Sequence, residues 1–338
     1  MASRAKYLSI FLMSAAFTAA LIVVHPAWAS AVTAAPAKQG LEISPSIINL
    51  NGVKGGNYVV NVKVSNVTID TQTYYTSVKD FTNKDESGAP SILATSNLPD
   101  TASIRTWVST NSKVVLKPGE VETLVVNVTI PSNAEAGGHY GALLFSGTAP
   151  TPASVGLALS ASAGALFLVK VDGTITEQAS LASFYTAPTS TDNQSSFFEK
   201  APITFVTRVK DEGNIHLQPS GQILVHDMFG NLVSTTSVNS DKANVLPNSI
   251  RRFDTTMASS WMFGRYTADL QLGYGSHGQV LTDTISFWVI PYKIVLVVLL
   301  AIITVIFVLV RMVKVYNRRI IAKAIQKHEK NNSNHSKK

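Results

Sequence analysis

Lys113 to Pro131 reads KVVLKPGEVETLVVNVTIP, and this stretch decides the fold. Lys113-Val114-Val115-Leu116 is a short β-branched run. Lys117-Pro118-Gly119-Glu120 is a turn, because proline presets φ at its second position and glycine accepts the positive φ that follows. Val121–Ile130 then alternates apolar and polar residues, the period of a strand with one buried face. Pro131 stops it, since proline has no N–H for a ladder. The stretch is a pair of strands in an antiparallel, half-buried sheet.

Working outward, the same reading recurs on both sides. Tyr58–Val64 alternates after an Asn-Gly and a Gly-Gly, and Thr73–Asp80 is rich in Thr, Tyr and Val. Gly141–Ser146 and Ala165–Val171 are shorter apolar segments. A helical turn is expected near Ser103–Ser109, after Leu98-Pro99-Asp100. Tyr185–Ser196 is polar and patternless and reads as a linker. A second strand series follows from Ile203 to Val289, with turns at Asp211–Asn214 and Met228–Asn231. Short strands between Gly, Pro and Asn turns point to all-β sandwiches, and about ninety residues is the size of one Ig-like domain. The expected fold is two tandem Ig-like β-sandwich domains plus a single C-terminal transmembrane helix.

The two ends carry membrane signals. In residues 1–29, Arg4 and Lys6 precede an apolar run, and Ala27-Trp28-Ala29 is a small-residue cleavage site before Ser30. Ile294 to Val310 is unbroken and apolar all round, with no polar stripe to suggest a soluble core helix. Trp288 and Tyr292 fit an aromatic belt, and Arg311, Lys314, Arg318 and Arg319 follow at once on the other side. The expected order is a signal peptide (1–29), a flexible N-terminus (30–40), a first Ig-like domain (41–184), a linker (185–200), a second Ig-like domain (201–290), a transmembrane helix (291–313) and a basic tail (314–338). The positive-inside rule places the chain in a cell membrane as a single-pass protein, N-terminal region outside and C-terminus cytoplasmic. The tail reads as a stop-transfer signal or as an amphipathic helix lying on anionic lipid through Ile320, Ile321, Ala324 and Ile325.

Charge and cysteine content narrow the function. The net charge is +7 over 338 residues, but nine Lys or Arg lie from Arg311 onward against Glu329 alone. With the leader's Arg4 and Lys6 also set aside, the exported body is mildly acidic. The basic excess is topological, so nucleic acid is not an expected partner. The absence of cysteine excludes thiol catalysis and disulfides, and points to export in a bacterium with a single membrane.

No constellation of catalytic groups stands out. His139, His216, His226 and His277 have no zinc spacing; His216 and His226 on neighbouring strands read as strand residues or as a metal pair. Asp80, Asp85 and Glu86 read as a solvated loop or as a calcium site. No enzyme, no cofactor and no metal is expected. The most distinctive stretch is Gly137-Gly138-His139-Tyr140-Gly141, which offers a close-approach backbone, an imidazole and an amphipathic ring. It reads equally as a hairpin corner with a tyrosine in the core or as a binding site.

That stretch also resembles the WxL-interacting proteins of Gram-positive bacteria. The match includes Leu41-Glu42-Ile43-Ser44-Pro45, Leu116–Glu120, Val128-Thr129-Ile130-Pro131, Leu246-Pro247-Asn248-Ser249 and Phe263-Gly264-Arg265-Tyr266. Thr148–Ser162, rich in Ala, Ser and Pro, departs from the pattern, and the tail is longer than the family's. The resemblance implies a peptidoglycan-binding Ig-like domain, a second Ig-like domain and a membrane anchor. The expected function is a non-enzymatic membrane-anchored surface protein that contacts cell wall peptidoglycan or a surface protein partner. The alternative is a chaperone-like secretion accessory protein that holds exported clients on its strand edges.

Overall fold

A computed structural model describes residues 40–147, 163–188, 193–257 and 261–335. The leader at 1–29, the segment 30–39 and the Thr148–Ser162 stretch lie outside the described residues.

The first sandwich contains β1 (Leu41–Ser44), β2 (Ile47–Gly52), β3 (Asn57–Asn66), β4 (Gln72–Asn83), β5 (Pro90–Ile92), β6 (Val108–Ser109), β7 (Lys113–Leu116), β8 (Val121–Thr129), β9 (Gly137–Ser146) and β10 (Ala163–Val171). One helical turn, α1 (Ile104–Trp107), lies between β5 and β6. The sheets run β1-β3-β8-β6 and β2-β10-β9-β4-β5, with β7 paired to the start of β4. All these neighbours are antiparallel except β2 and β10, which are parallel. β8 shows why the sequence folds this way. Its Leu124, Val126 and Val128 are buried while the residues between them face out. With Val62, Val64, Trp107, Phe145 and Phe167 they form one core. Each such side chain, fully buried, contributes roughly 1.5–3 kcal/mol.

The second sandwich contains β11 (Ala179–Ala187), β12 (Phe197–Phe198), β13 (Ile203–Asp211), β14 (Ser220–His226), β15 (Leu232–Val238), β16 (Ile250–Met257), β17 (Gly264–Tyr274) and β18 (Gln279–Val289). Its sheets run β11-β13-β16 and β12-β18-β17-β14-β15. Phe287 sits at the centre of its core, with ring centroids of Phe198, Phe205 and Tyr266 at 6.0, 5.9 and 5.6 Å.

The expected linker at 185–200 is corrected. Tyr185, Thr186 and Ala187 pair with Val206, Phe205 and Thr204, so β11 is a strand of the second sandwich. Small Ser, Ala and Thr residues and a register shift between Leu181 and Ser183 hide its alternation. The chain passes between sandwiches at 172–178 instead.

The last element, α2 (Tyr292–His335), is a single helix of 44 residues. Among the described residues it is long and apolar enough to cross a membrane. At 1.5 Å per residue its length is about 66 Å, twice the roughly 30 Å of a bilayer core. The basic segment expected as a separate tail from 314 continues this helix. The chain is therefore mostly β, in Ig-type sandwiches, with a candidate span at its end.

Candidate functional site

β9 and β10 differ from β8 in one respect that creates the site. Their burial is nearly continuous, because both faces are covered. One face packs in the first core. The other carries a small apolar cluster of Ala142 and Leu168 with Tyr140, Leu144 and Leu166, onto which Leu246 of the second sandwich packs. An uninterrupted apolar run is what a strand buried on both faces requires.

The five residues singled out by sequence lie in and beside this joint. Gly138 N–H donates to Asn214 O at 2.7 Å, and a Cβ on Gly137 (φ +127°) would stand 2.8 Å from that same oxygen. A Cβ on Gly141 would stand 2.5 Å from Ile104 Cγ2. His139 is buried against Trp107, ring centroids 4.5 Å apart. Its Nδ1 lies 2.9 Å from Ala102 O and its Nε2 3.0 Å from Glu135 O. Tyr140 Oη lies 3.4 Å from His216 Nδ1, with the rings edge to face at 5.8 Å. Burial pushes the Tyr140 hydroxyl well above its ordinary range. Burial, with the Lys170 charge behind it, pushes His216 down to about 4. These groups pack against one another at the joint: Gly137, His139 and Gly141 are buried and Gly138 and Tyr140 half-buried, so the stretch serves packing between chain segments. We expect His139→Ala to lower stability by about 2 kcal/mol, since it removes a ring N–H bond to a backbone carbonyl and leaves a cavity against Trp107. A urea midpoint equal to that of wild type would refute this.

A second contact stiffens the joint. Glu86, at the tip of the β4–β5 hairpin, accepts a forked pair from Arg208 on β13, one arm at 2.7 Å. Arg252 N–H donates to Glu86 O at 2.8 Å. The Arg208 guanidinium holds the Glu86 carboxyl below the usual carboxylate range.

The alternative calcium reading of Asp80, Asp85 and Glu86 does not survive the geometry. Asp80 is buried and accepts from Ser103 Oγ at 2.6 Å and Arg105 N–H at 3.2 Å, while Asp85 accepts Ser87 N–H within its own turn. His216 and His226 also part company, the first in the joint and the second 3.2 Å from Asp269. Among the described residues no group of three or more His, Asp or Glu is placed to hold a metal ion.

Beside the joint the two sandwiches leave a groove. Its two lobes, about 630 and 460 Å³, share Asn49, Leu168, Gln218 and Lys242. Ile47, Leu166 and Leu168 give it an apolar floor, and its charged lining is mixed, with Lys170, Lys242 and Arg251 against Glu177 and Asp241. The strand along that floor is β2, which among the described residues pairs only with β10 and ends its sheet. Leu166 N–H bonds to Ser46 O at 2.8 Å and Asp172 N–H to Gly52 O at 3.0 Å. In a parallel ladder alternate residues bond to the same side. Ser46, Ile48, Leu50 and Gly52 therefore face β10, and the backbone groups of Ile47, Asn49 and Asn51 face the open edge. Sequence reasoning missed this site. The signal available was the run Ser46–Asn51, apolar and amide residues interleaved.

No family model and no curated protein matches the chain. Solved structures do. The class 5 fimbriae chaperone CfaA is 14% identical, covering 72% of this chain and 98% of its own, with a TM-score of 0.36. The CupB2 chaperone of Pseudomonas aeruginosa is 10% identical, covering 73% and 100%, with a TM-score of 0.32. The Salmonella enterica complex of SafA pilin with the SafB chaperone gives 9%, 75% and 99%, and 0.33. The expectation that Gly137–Gly141 bind peptidoglycan is corrected by their packing: His139 lies in the first sandwich against Trp107, and Gly138 and Tyr140 meet Asn214 and His216 of the second.

Proposed function

We propose that the chain is a chaperone-like secretion accessory protein that holds exported polypeptides in extended form without catalysis. Two tandem Ig-like domains stand on the outer face of a cell membrane, anchored by α2, with the basic C-terminal end in the cytoplasm. The resemblance to WxL-interacting proteins is retained for this architecture and not for a wall ligand. The observation that carries the reading is the open edge of β2 along the groove. An unpaired edge offers N–H and C=O groups at strand spacing to an added strand. The apolar floor takes alternate side chains of that strand, and the mixed charges around it, Lys170, Lys242 and Arg251 with Glu177 and Asp241, leave polar partners for its other face.

The test is photocross-linking in cells from a photoreactive residue at Asn49, with the same residue at Ser237 on β15 as control. Adducts with exported proteins from position 49 and not from 237 are expected. Asn49→Pro, which removes an edge N–H without touching the β10 ladder, is expected to lower levels of those clients outside the cell. Unchanged client levels together with an adduct-free position 49 would sink the reading.

A further inference from the structure

We infer that the end of the second sandwich nearest α2 rests in the headgroup region of the outer leaflet of the membrane that α2 crosses. This rests on α2 being a membrane span and goes beyond it, because an anchored domain is free to stand clear of the surface on a linker. Here there is no linker. β18 ends at Val289 and α2 begins at Tyr292. The junction is held down: Ile290 N–H bonds to Phe198 O at 2.8 Å, and Lys293 Nζ, in the first turn of α2, bonds to Glu199 at 2.9 Å.

Strand register identifies what else lies at that end. Phe197 pairs with Trp288, and Gly264 with Val289, which brings in Trp261 and Phe263 just before β17. His226 pairs with Thr267, so the β14–β15 turn is at the same end, and Met228 Cε closes over Gly264. Asp227 fixes the turn by accepting the Phe229 and Asn231 N–H groups at 2.9 Å each, and this presents Phe229 at the tip, 81% exposed. Phe197, Met228, Trp261, Phe263 and Trp288 are exposed around it. The opposite end of the same β17–β18 hairpin is Gly275-Ser276-His277-Gly278, with no large apolar residue. Eleven residues of strand separate the two ends, about 35 Å. Exposed aromatics gathered at one end, beside the start of an apolar helix, match the chemistry of the headgroup–acyl boundary, where amphipathic rings are favoured.

The chain has no cysteine, so single-cysteine variants of the full chain report cleanly. Phe229→Cys, Phe263→Cys, Ile302→Cys and His277→Cys would each carry an environment-sensitive fluorophore. The chains would be reconstituted into phosphatidylcholine–phosphatidylglycerol vesicles and quenched by brominated lipid or by aqueous iodide. The expected result is lipid quenching at 302, iodide quenching at 277, and shallow-lipid quenching with loss of iodide quenching at 229 and 263. Lipid quenching at 302 with iodide access at 229 and 263 equal to 277 would overturn the inference and leave the anchor standing. A label at 302 that lipid does not quench would remove the anchor and the docking together. Protection of 229 and 263 from both quenchers would mean that a protein covers this end, and would also overturn it.

Discussion

Gly221→Ala is expected to lower the stability of the chain by about 4 kcal/mol, a size reserved for substitutions that force backbone apart. Gly221 lies on β14, between Val238 of β15 and Leu272 of β17. A Cβ there would stand 1.9 Å from Gln271 O, 2.9 Å from Gln271 C and 3.0 Å from Leu272 Cα. All three are backbone atoms, so no side-chain rotation relieves the clash. β14 must move off β17, which opens the ladder and the core beneath it at Ile223, Leu270 and Leu272, all essentially inaccessible. Gly273→Ala is the control. Its Cβ would meet only Ser220 O, at 3.8 Å, and alanine is the better strand residue by about 0.5 kcal/mol. Urea unfolding of the full chain in detergent micelles separates the two. A Gly221→Ala midpoint matching wild type would refute the close approach.

The second large effect is a pair of opposed pH dependences beside the joint. Asp211 is fully buried, and burial raises its carboxyl to about 7 against two bonds that lower it, one from Gly213 N–H at 2.8 Å. Its Oδ2 has no hydrogen-bond partner among the described residues. Between pH 4 and 7 the folded chain keeps this proton while the unfolded chain has lost it. Asp211 therefore removes stability as pH rises through that window, up to about 4 kcal/mol for about three units. His216 acts in the opposite sense. It is held neutral to about 4, so the unfolded chain binds a proton first, and stability is lost as pH falls from 6.5 to 4. Relative to wild type, Asp211→Asn should gain most at pH 8 and little at pH 4. The gain is reduced by about 1–3 kcal/mol for the new unpaired N–H group. His216→Gln should gain on acidification from pH 7 to 4. Urea midpoints at pH 4, 5.5, 7 and 8 test both, and difference curves that slope the same way with pH for the two variants would refute the assignment.

Much of the fold was legible because strand periodicity is local. Val121–Ile130 shows its buried face in its own alternation, and Gln279–Val289 is a strand over the whole range read from sequence. The helical turn at Ile104–Trp107 and the apolar run of α2 were legible for the same reason. β11 was not, since Ser180, Ala182 and Ser183 give little contrast between faces and the bulge breaks the period.

The candidate site was harder to read. Gly137–Gly141 stood out because glycines mark close backbone approach, and the sequence left open whether a ligand or another part of the chain makes that approach. The structure answers with Asn214 and Ile104. The sequence alone determined the strand periods, the apolar helix, the cysteine-free body and the placement of basic charge, since each is a property of neighbouring residues. Only the tertiary structure decided that β9 and β10 are covered on both faces, that Glu86 meets Arg208 from 122 residues away, and that β2 is left with an open edge. Those depend on which surfaces meet across long loops, and no local pattern of side chains encodes which sheet edge stays without a neighbour.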